Sequence, residues 1–173
     1  AHFLCYGDIP PERHLEFLDA RLAGLDAGPT APPIPLQPRW NAPEKRAETY
    51  AVDADEDRQN RTYLVSSWLV GTVREPVELF AHYILGLLLF GNEGAPLKRA
   101  LVDSKLGEDV IFSGFSVTGL ESVFRVGLKG SEPERADAFR TLVATTLREL
   151  AETGFPQRQI DAAFQQAAYD YRE

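Results

Sequence analysis

Val110-Ile111-Phe112-Ser113-Gly114-Phe115-Ser116-Val117-Thr118-Gly119-Leu120-Glu121-Ser122-Val123-Phe124-Arg125-Val126-Gly127-Leu128-Lys129-Gly130 decides the fold. Two runs rich in β-branched and aromatic residues, 110–118 and 122–130, flank the turn Gly119-Leu120-Glu121, and that pattern predicts a β-hairpin. A hairpin joins antiparallel neighbours, whereas a parallel pair needs a crossover of a dozen or more residues. The sheet built around this hairpin is therefore expected to be rich in antiparallel pairing.

Downstream, Ser131-Glu132-Pro133-Glu134 has capping-box spacing, in which a serine side chain and a glutamate three residues on satisfy each other's free amides. It predicts a long helix whose apolar face is Phe139, Leu142, Val143, Leu147 and Leu150, closed by Gly154. Phe155-Pro156 then opens a last helix, 156–172, carrying Ile160, Ala163, Phe164, Ala167 and Tyr171. Upstream of the hairpin, a short helix over 95–104 presents Leu97, Ala100 and Leu101. A longer one over 75–90 presents Val77, Phe80, Ile84, Leu87 and Leu88, and ends at Gly91-Asn92-Glu93-Gly94.

Further upstream, 46–53 and 61–71 read as two strands joined by the polar turn 53–60. Both faces of the second are largely apolar, which predicts a central strand. Six of the twelve prolines fall within 29–43, so that stretch is expected to be an extended surface connection. The chain opens with a β-type run, 2–6, and a helix that follows Pro10-Pro11 and buries Leu15, Leu18 and Leu22. Taken in order, these elements predict an α+β fold: an antiparallel-rich mixed sheet with helices packed mainly on one face.

With 173 residues, 44% hydrophobic and 25% charged, the chain suits a single domain over 1–173 with one core, the Pro-rich 29–43 crossing its surface. The net charge of -8 repels phosphate backbones, and no run of Lys and Arg offsets it, so nucleic acid is not expected as a partner. The single cysteine, Cys5, forms no internal disulfide and favours a reducing compartment. The longest apolar run, 83–90, is far short of the ~20 residues that cross a bilayer. No membrane partner and a cytoplasmic location are therefore expected. The absence of methionine, together with an opening inside a strand-like run, predicts a domain cut from a larger multidomain protein.

The candidate chemistry is sparse. Asp53, Asp55 and Asp57 alternate like the start of a calcium loop, but Arg58 stands where that loop needs glycine and Leu64 where it needs glutamate. A solvated turn is the expected role. His2, His14 and His82 are scattered, and His14-Leu15-Glu16 is only a fragment of a zinc-binding pattern, so His14 is expected on an exposed helix face and His82 partly packed. Gly114-Phe115-Ser116-Val117-Thr118 falls short of a nucleophile elbow at Thr118 and lies inside a strand. Cys5 and His2, three apart on a strand, point to opposite faces, so a buried structural cysteine is expected. The residues of this chain are expected to supply no catalytic, metal-binding or cofactor-binding site.

Ala95-Pro96-Leu97-Lys98-Arg99-Ala100-Leu101-Val102-Asp103-Ser104-Lys105-Leu106-Gly107, the hairpin ending Phe124-Arg125-Val126-Gly127-Leu128-Lys129-Gly130, and the opening Phe3-Leu4-Cys5-Tyr6-Gly7-Asp8 resemble the pitrilysin/insulinase-type zinc metallopeptidases (inverzincins), particularly their presequence-protease branch. The resemblance spans nearly the whole chain. It implies a two-layer α/β sandwich of the metallopeptidase-like type, one of four homologous domains in two halves that close around a chamber. It also implies that zinc and its His-x-x-Glu-His helix belong to the first domain, and an assisting arginine and tyrosine to the fourth. Here Val102 stands at the arginine's place and Glu108 and Asp109 around the tyrosine's, which implies the second, non-catalytic domain of the N-terminal half.

The resemblance thus implies a substrate-enclosing domain of a zinc-dependent peptidase. Zinc would belong to the parent protein and none to this part, and the partners would be the other domains of the polypeptide and a peptide substrate. A processing-peptidase-like scaffold whose parent lacks the zinc motif is the alternative. An independent small enzyme using His14, Glu16 or Cys5 is the third reading.

Overall fold

Three strands, β1 (Thr62–Thr72), β2 (Asp109–Thr118) and β3 (Glu121–Ser131), form an antiparallel sheet in the order β1-β3-β2. The structure is a computed structural model and describes residues 3–26 and 28–172. Residues 36–173 make one compact unit, which contains the sheet, and residues 1–35 make another. The fold class is α+β, as expected. The predicted hairpin is β2–β3, with Thr118 paired to Glu121 at its tip.

The central strand is β3, which corrects the expectation for 61–71. β1 is an edge strand. Its inward row enters the core at Leu64, but its outward row leaves Tyr63 51% and Val65 48% exposed, so apolar residues on both faces reflect exposure here and not enclosure. The central position shows instead in β3, where Phe124, Val126 and Leu128 are buried in alternation.

Two predicted strands do not form. Residues 3–6 and 46–53 lie outside any strand, and His2 falls outside the described residues. A strand is stable only when a neighbour completes its ladder of hydrogen bonds. The 46–53 segment is tied to β1 by a side chain instead: the Tyr50 hydroxyl donates to the carbonyl of Arg61, and its ring meets Tyr63 edge-on at 5.7 Å.

In the unit of residues 1–35, α1 (Pro11–Leu22) has no buried residue, and Leu15 is 65% exposed. This overturns the expected burial of Leu15, Leu18 and Leu22. The helix is set by Pro11 in its first turn, and Arg21 lies 5.4 Å from the centre of the Phe17 ring.

In the larger unit, α2 (Pro76–Phe90), α3 (Pro96–Ser104) and α4 (Ala136–Thr153) pack with the sheet, and α5 (Gln157–Asp170) packs on α2. Leu97 and Leu101 of α3, Phe139 and Val143 of α4, and Leu89 of α2 close over Val126 and Leu128 of β3. α2 is apolar on more than one side because it serves two clusters. Leu85 and Leu89 face the main core, while Ile84, Leu87 and Leu88 meet Ala163 and Ala167 of α5. Its expected burial of Val77 fails, since that residue is 83% exposed near the start of the helix.

The capping box does not close either. Ser131 ends β3, fully buried, and its hydroxyl donates to the Leu106 carbonyl at 2.5 Å. The chain enters α4 through a 3₁₀ turn, Pro133–Arg135. That serine is spent on anchoring the β2 approach, so it cannot also cap the helix. At the other end of α4, Gly154 takes φ 71°, a left-handed conformation that glycine adopts without strain.

Candidate functional site

A cleft with mainly apolar walls lies near an irregularity in β1. Trp68 pairs with Phe124 and Leu69 with Val123, so regular pairing would set Val70 opposite Ser122. Val70 is instead an extra residue, and Gly71 takes the place beside Ser122. On the other side of β3, Ser122 pairs with Val117. Ser122 therefore continues the inward row of Phe124, Val126 and Leu128, with a hydroxyl where that row is otherwise apolar.

The first turns of α2 lie over this end of the sheet. The His82 imidazole stacks flat on Phe115, with ring centres 4.9 Å apart and planes at 4°. A Cβ built on Gly71 would lie 3.2 Å from His82 Cε1, 3.4 Å from Ser122 Oγ and 3.6 Å from Glu78 Cδ. Three side chains thus converge on space that any other residue at position 71 would fill. Phe80, Tyr83 and Tyr171 complete the walls of a cleft of about 340 Å³. Tyr171 reaches it from the end of α5, and the Tyr83 hydroxyl donates to Asp170.

Ser122 is 1% exposed, and among the described residues neither its Oγ nor His82 Nδ1 has a hydrogen-bond partner. His82 Nε2 faces the Glu78 carboxylate at 3.9 Å. The hydrogen bond with Glu78, and then its negative charge, raise the Glu75 pKa above the ordinary carboxylate value. The hydrogen bond to Asp170, then burial, pushes Tyr83 up to about 12. A second cleft of about 470 Å³ lies between the end of α2 and α5, beside Leu88, Asn92, Arg158 and Gln166.

The residues singled out in the sequence do not converge here, apart from His82 and the edge provided by Ser116. Asp53, Asp55 and Asp57 are exposed in a turn that satisfies itself: Asp57 Oδ1 accepts the Gln59 amide at 3.0 Å, and Glu56 pairs with Arg61 at 2.5 Å. His14 is half-buried on α1 and Glu16 is exposed. Cys5 is exposed, which corrects the expected buried cysteine: residues 3–6 form no strand that would pack it.

Val102 is 43% exposed on α3. Glu108 donates its amide to Lys129 O, and the Asp109 carboxylate meets Lys129 Nζ at 3.2 Å. The Lys129 ammonium, with the Val110 amide, holds Asp109 below the ordinary carboxylate pKa. Among the described residues, no group of three or more His, Cys, Asp or Glu side chains is placed to hold a metal ion. The donor set does not fit a zinc site, which needs three or four converging ligands. Sequence reasoning missed Gly71 and Ser122, whose pairing depends on one extra residue in β1.

Residues 1–167 match the family described as the Peptidase M16 inactive domain. Presequence protease 1, chloroplastic/mitochondrial, of Arabidopsis thaliana is 31% identical over 173 residues, covering 97% of this chain and 16% of the relative. Presequence protease, mitochondrial, of Mus musculus is 31% identical over 168 residues, covering 94% and 16%. Protein HypA of Clostridium perfringens is 25% identical over 174 residues, covering 100% and 18%. The chain thus spans less than a fifth of the length of these relatives.

Proposed function

The chain belongs to the Peptidase M16 inactive-domain family, and from that premise we propose that it is a non-catalytic, chamber-forming domain of a zinc-dependent peptidase. The match over residues 1–167 carries the reading. Its further support is that relatives bearing the name presequence protease align along nearly the whole chain while extending far beyond it. In this reading residues 1–173 act as one domain, with 29–43 as its Pro-rich connection, and take the second position in the N-terminal half of a larger polypeptide.

The domain's contribution is shape and charge. Zinc, and the hydrolysis of peptide bonds that it assists, belong to another domain of the same polypeptide. Val102, Glu108 and Asp109 take no part in that chemistry. The partners are the other domains and the enclosed peptide, and the net charge of -8 draws basic peptides at low salt. Among the described residues no helix is long and apolar enough to cross a membrane. A cytoplasmic location completes the proposal, and fractionation of the source cells tests it.

The decisive experiment takes the full-length gene product. It is expected to contain a His-x-x-Glu-His motif outside residues 1–173, to bind zinc there and to cleave peptides, while the 173-residue chain alone binds no stoichiometric zinc and turns nothing over. A gene product without the motif and without peptidase activity overturns the proposal in favour of a scaffold subunit. Turnover by the isolated chain overturns the non-catalytic assignment.

A further inference from the structure

From the pairing of charges on the outward face of the sheet, we infer that Arg125, at the centre of that face, binds the C-terminal carboxylate of a peptide. Phe124, Val126 and Leu128 enter the core, so Glu121, Val123, Arg125, Gly127 and Lys129 form the opposite row of β3. The charges at the two ends of this row are matched within the chain. Glu121 Oε2 accepts the Gln37 amide at 2.7 Å, and Arg39 faces Oε1 at 3.3 Å, an ion pair outside hydrogen-bond alignment. Lys129 meets its cross-strand partner Asp109 at 3.2 Å. Between them, Arg125 forms no ion pair among the described residues.

The surroundings of Arg125 leave room for a ligand. Its neighbours across the sheet are Ser67 in β1 and Gly114 in β2. Ser67 is exposed, and a Cβ built on Gly114 would meet no atom within 4 Å. On the same face Leu69 and Val123 are half-buried and Val65 is exposed, which offers apolar surface to a terminal side chain. Arg125 is itself half-buried, and a guanidinium partly withdrawn from water gains most from a carboxylate, which its planar fork holds through two parallel hydrogen bonds.

Charge at two scales selects the occupant. The net charge of -8 draws cationic chains and repels acidic ones. A phosphate would set more negative charge against that field than a carboxylate does. A cationic peptide with a free end carries one carboxylate regardless of its side chains, and a single unmatched arginine suits that one group. The choice of a peptide as occupant rests on the proposed function; the carboxylate preference of Arg125 is tested on this chain alone. A result against either therefore leaves the other standing.

The test titrates the ¹⁵N-labelled 173-residue chain, followed by NMR, with three forms of a short lysine–alanine peptide ending in leucine. One has a free C-terminus, one is amidated, and one is amidated with a glutamate replacing a central alanine, which restores the net charge of the first. The free form is expected to bind about ten-fold more tightly than either amidated form, the difference of roughly one charge-assisted pair. It should shift the Ser67, Gly114 and Arg125 amides. Arg125→Gln should abolish the preference, and Arg125→Lys, which keeps the charge without the fork, should restore only part of it. An unchanged urea midpoint for Arg125→Lys keeps the comparison valid if Arg125→Gln fails to fold. Equal affinity for the free and amidated forms would overturn the inference, as would a preference that survives in Arg125→Gln. Equal binding of the free and glutamate forms would overturn the assignment to a chain terminus.

Discussion

Ser122 illustrates how a single side chain can be both a liability and a signal. Its hydroxyl is buried without a partner among the described residues, so Ser122→Ala is expected to raise the stability of the chain by about 1 kcal/mol, read as a higher urea midpoint with an unchanged slope. A loss of stability would mean that the hydroxyl is already satisfied. Tyr83 makes a second residue-scale case. Its pKa is raised from 10.0 to about 12 by the hydrogen bond to Asp170. The folded value lies above the unfolded one, so the contribution is complete below pH 10 and is lost as pH climbs through about 12. An ultraviolet titration should show one tyrosine ionising late, and Tyr83→Phe should abolish that late step. None of this was legible in the sequence. Ser122 and Gly71 are 51 positions apart, and which residue faces which depends on strand register, which no local pattern records.

At the scale of elements the sequence is a better guide where periodicity and punctuation agree. α3 begins at its proline and buries Leu97 and Leu101 completely, as the spacing predicts, and α4 ends at Gly154. Leu97→Ala should therefore cost about 3 kcal/mol by leaving a cavity beneath the sheet. Thermal unfolding should show the loss, and a cost under about 1 kcal/mol would mean that the core collapses around the gap. The failures have a common cause. The stretches 3–6 and 46–53 have strand composition but acquire no ladder, and α1 has an apolar stripe but no burial. Composition states what an element is able to do; only a neighbouring segment realises it. The capping box failed for a related reason, since the serine that matched it had a competing acceptor, Leu106 O, that lies 25 residues away in sequence.

Across the whole molecule, the cleft was not legible in the sequence, because motifs are read along the chain and clefts are formed across it. β1 and β2 are both edges, and an edge strand is a template on which another chain can add. β2 is interrupted between Ile111 and Gly114, where Phe112 and Gly114 adopt φ 48° and 116° and the Ser113 hydroxyl donates to Ile111 O and accepts from the Gly127 amide. A side chain thus occupies a ladder position that backbone would otherwise fill, and the strand bends there. Removing Phe112 should straighten β2 into an uninterrupted edge. The shortened chain is then expected to form thioflavin-positive fibrils under conditions where the parent chain stays dispersed. Equal light scattering from the two would show that the bend plays no part in keeping copies of this protein apart. In that light, a conformation costly to one residue is a safeguard against runaway self-addition.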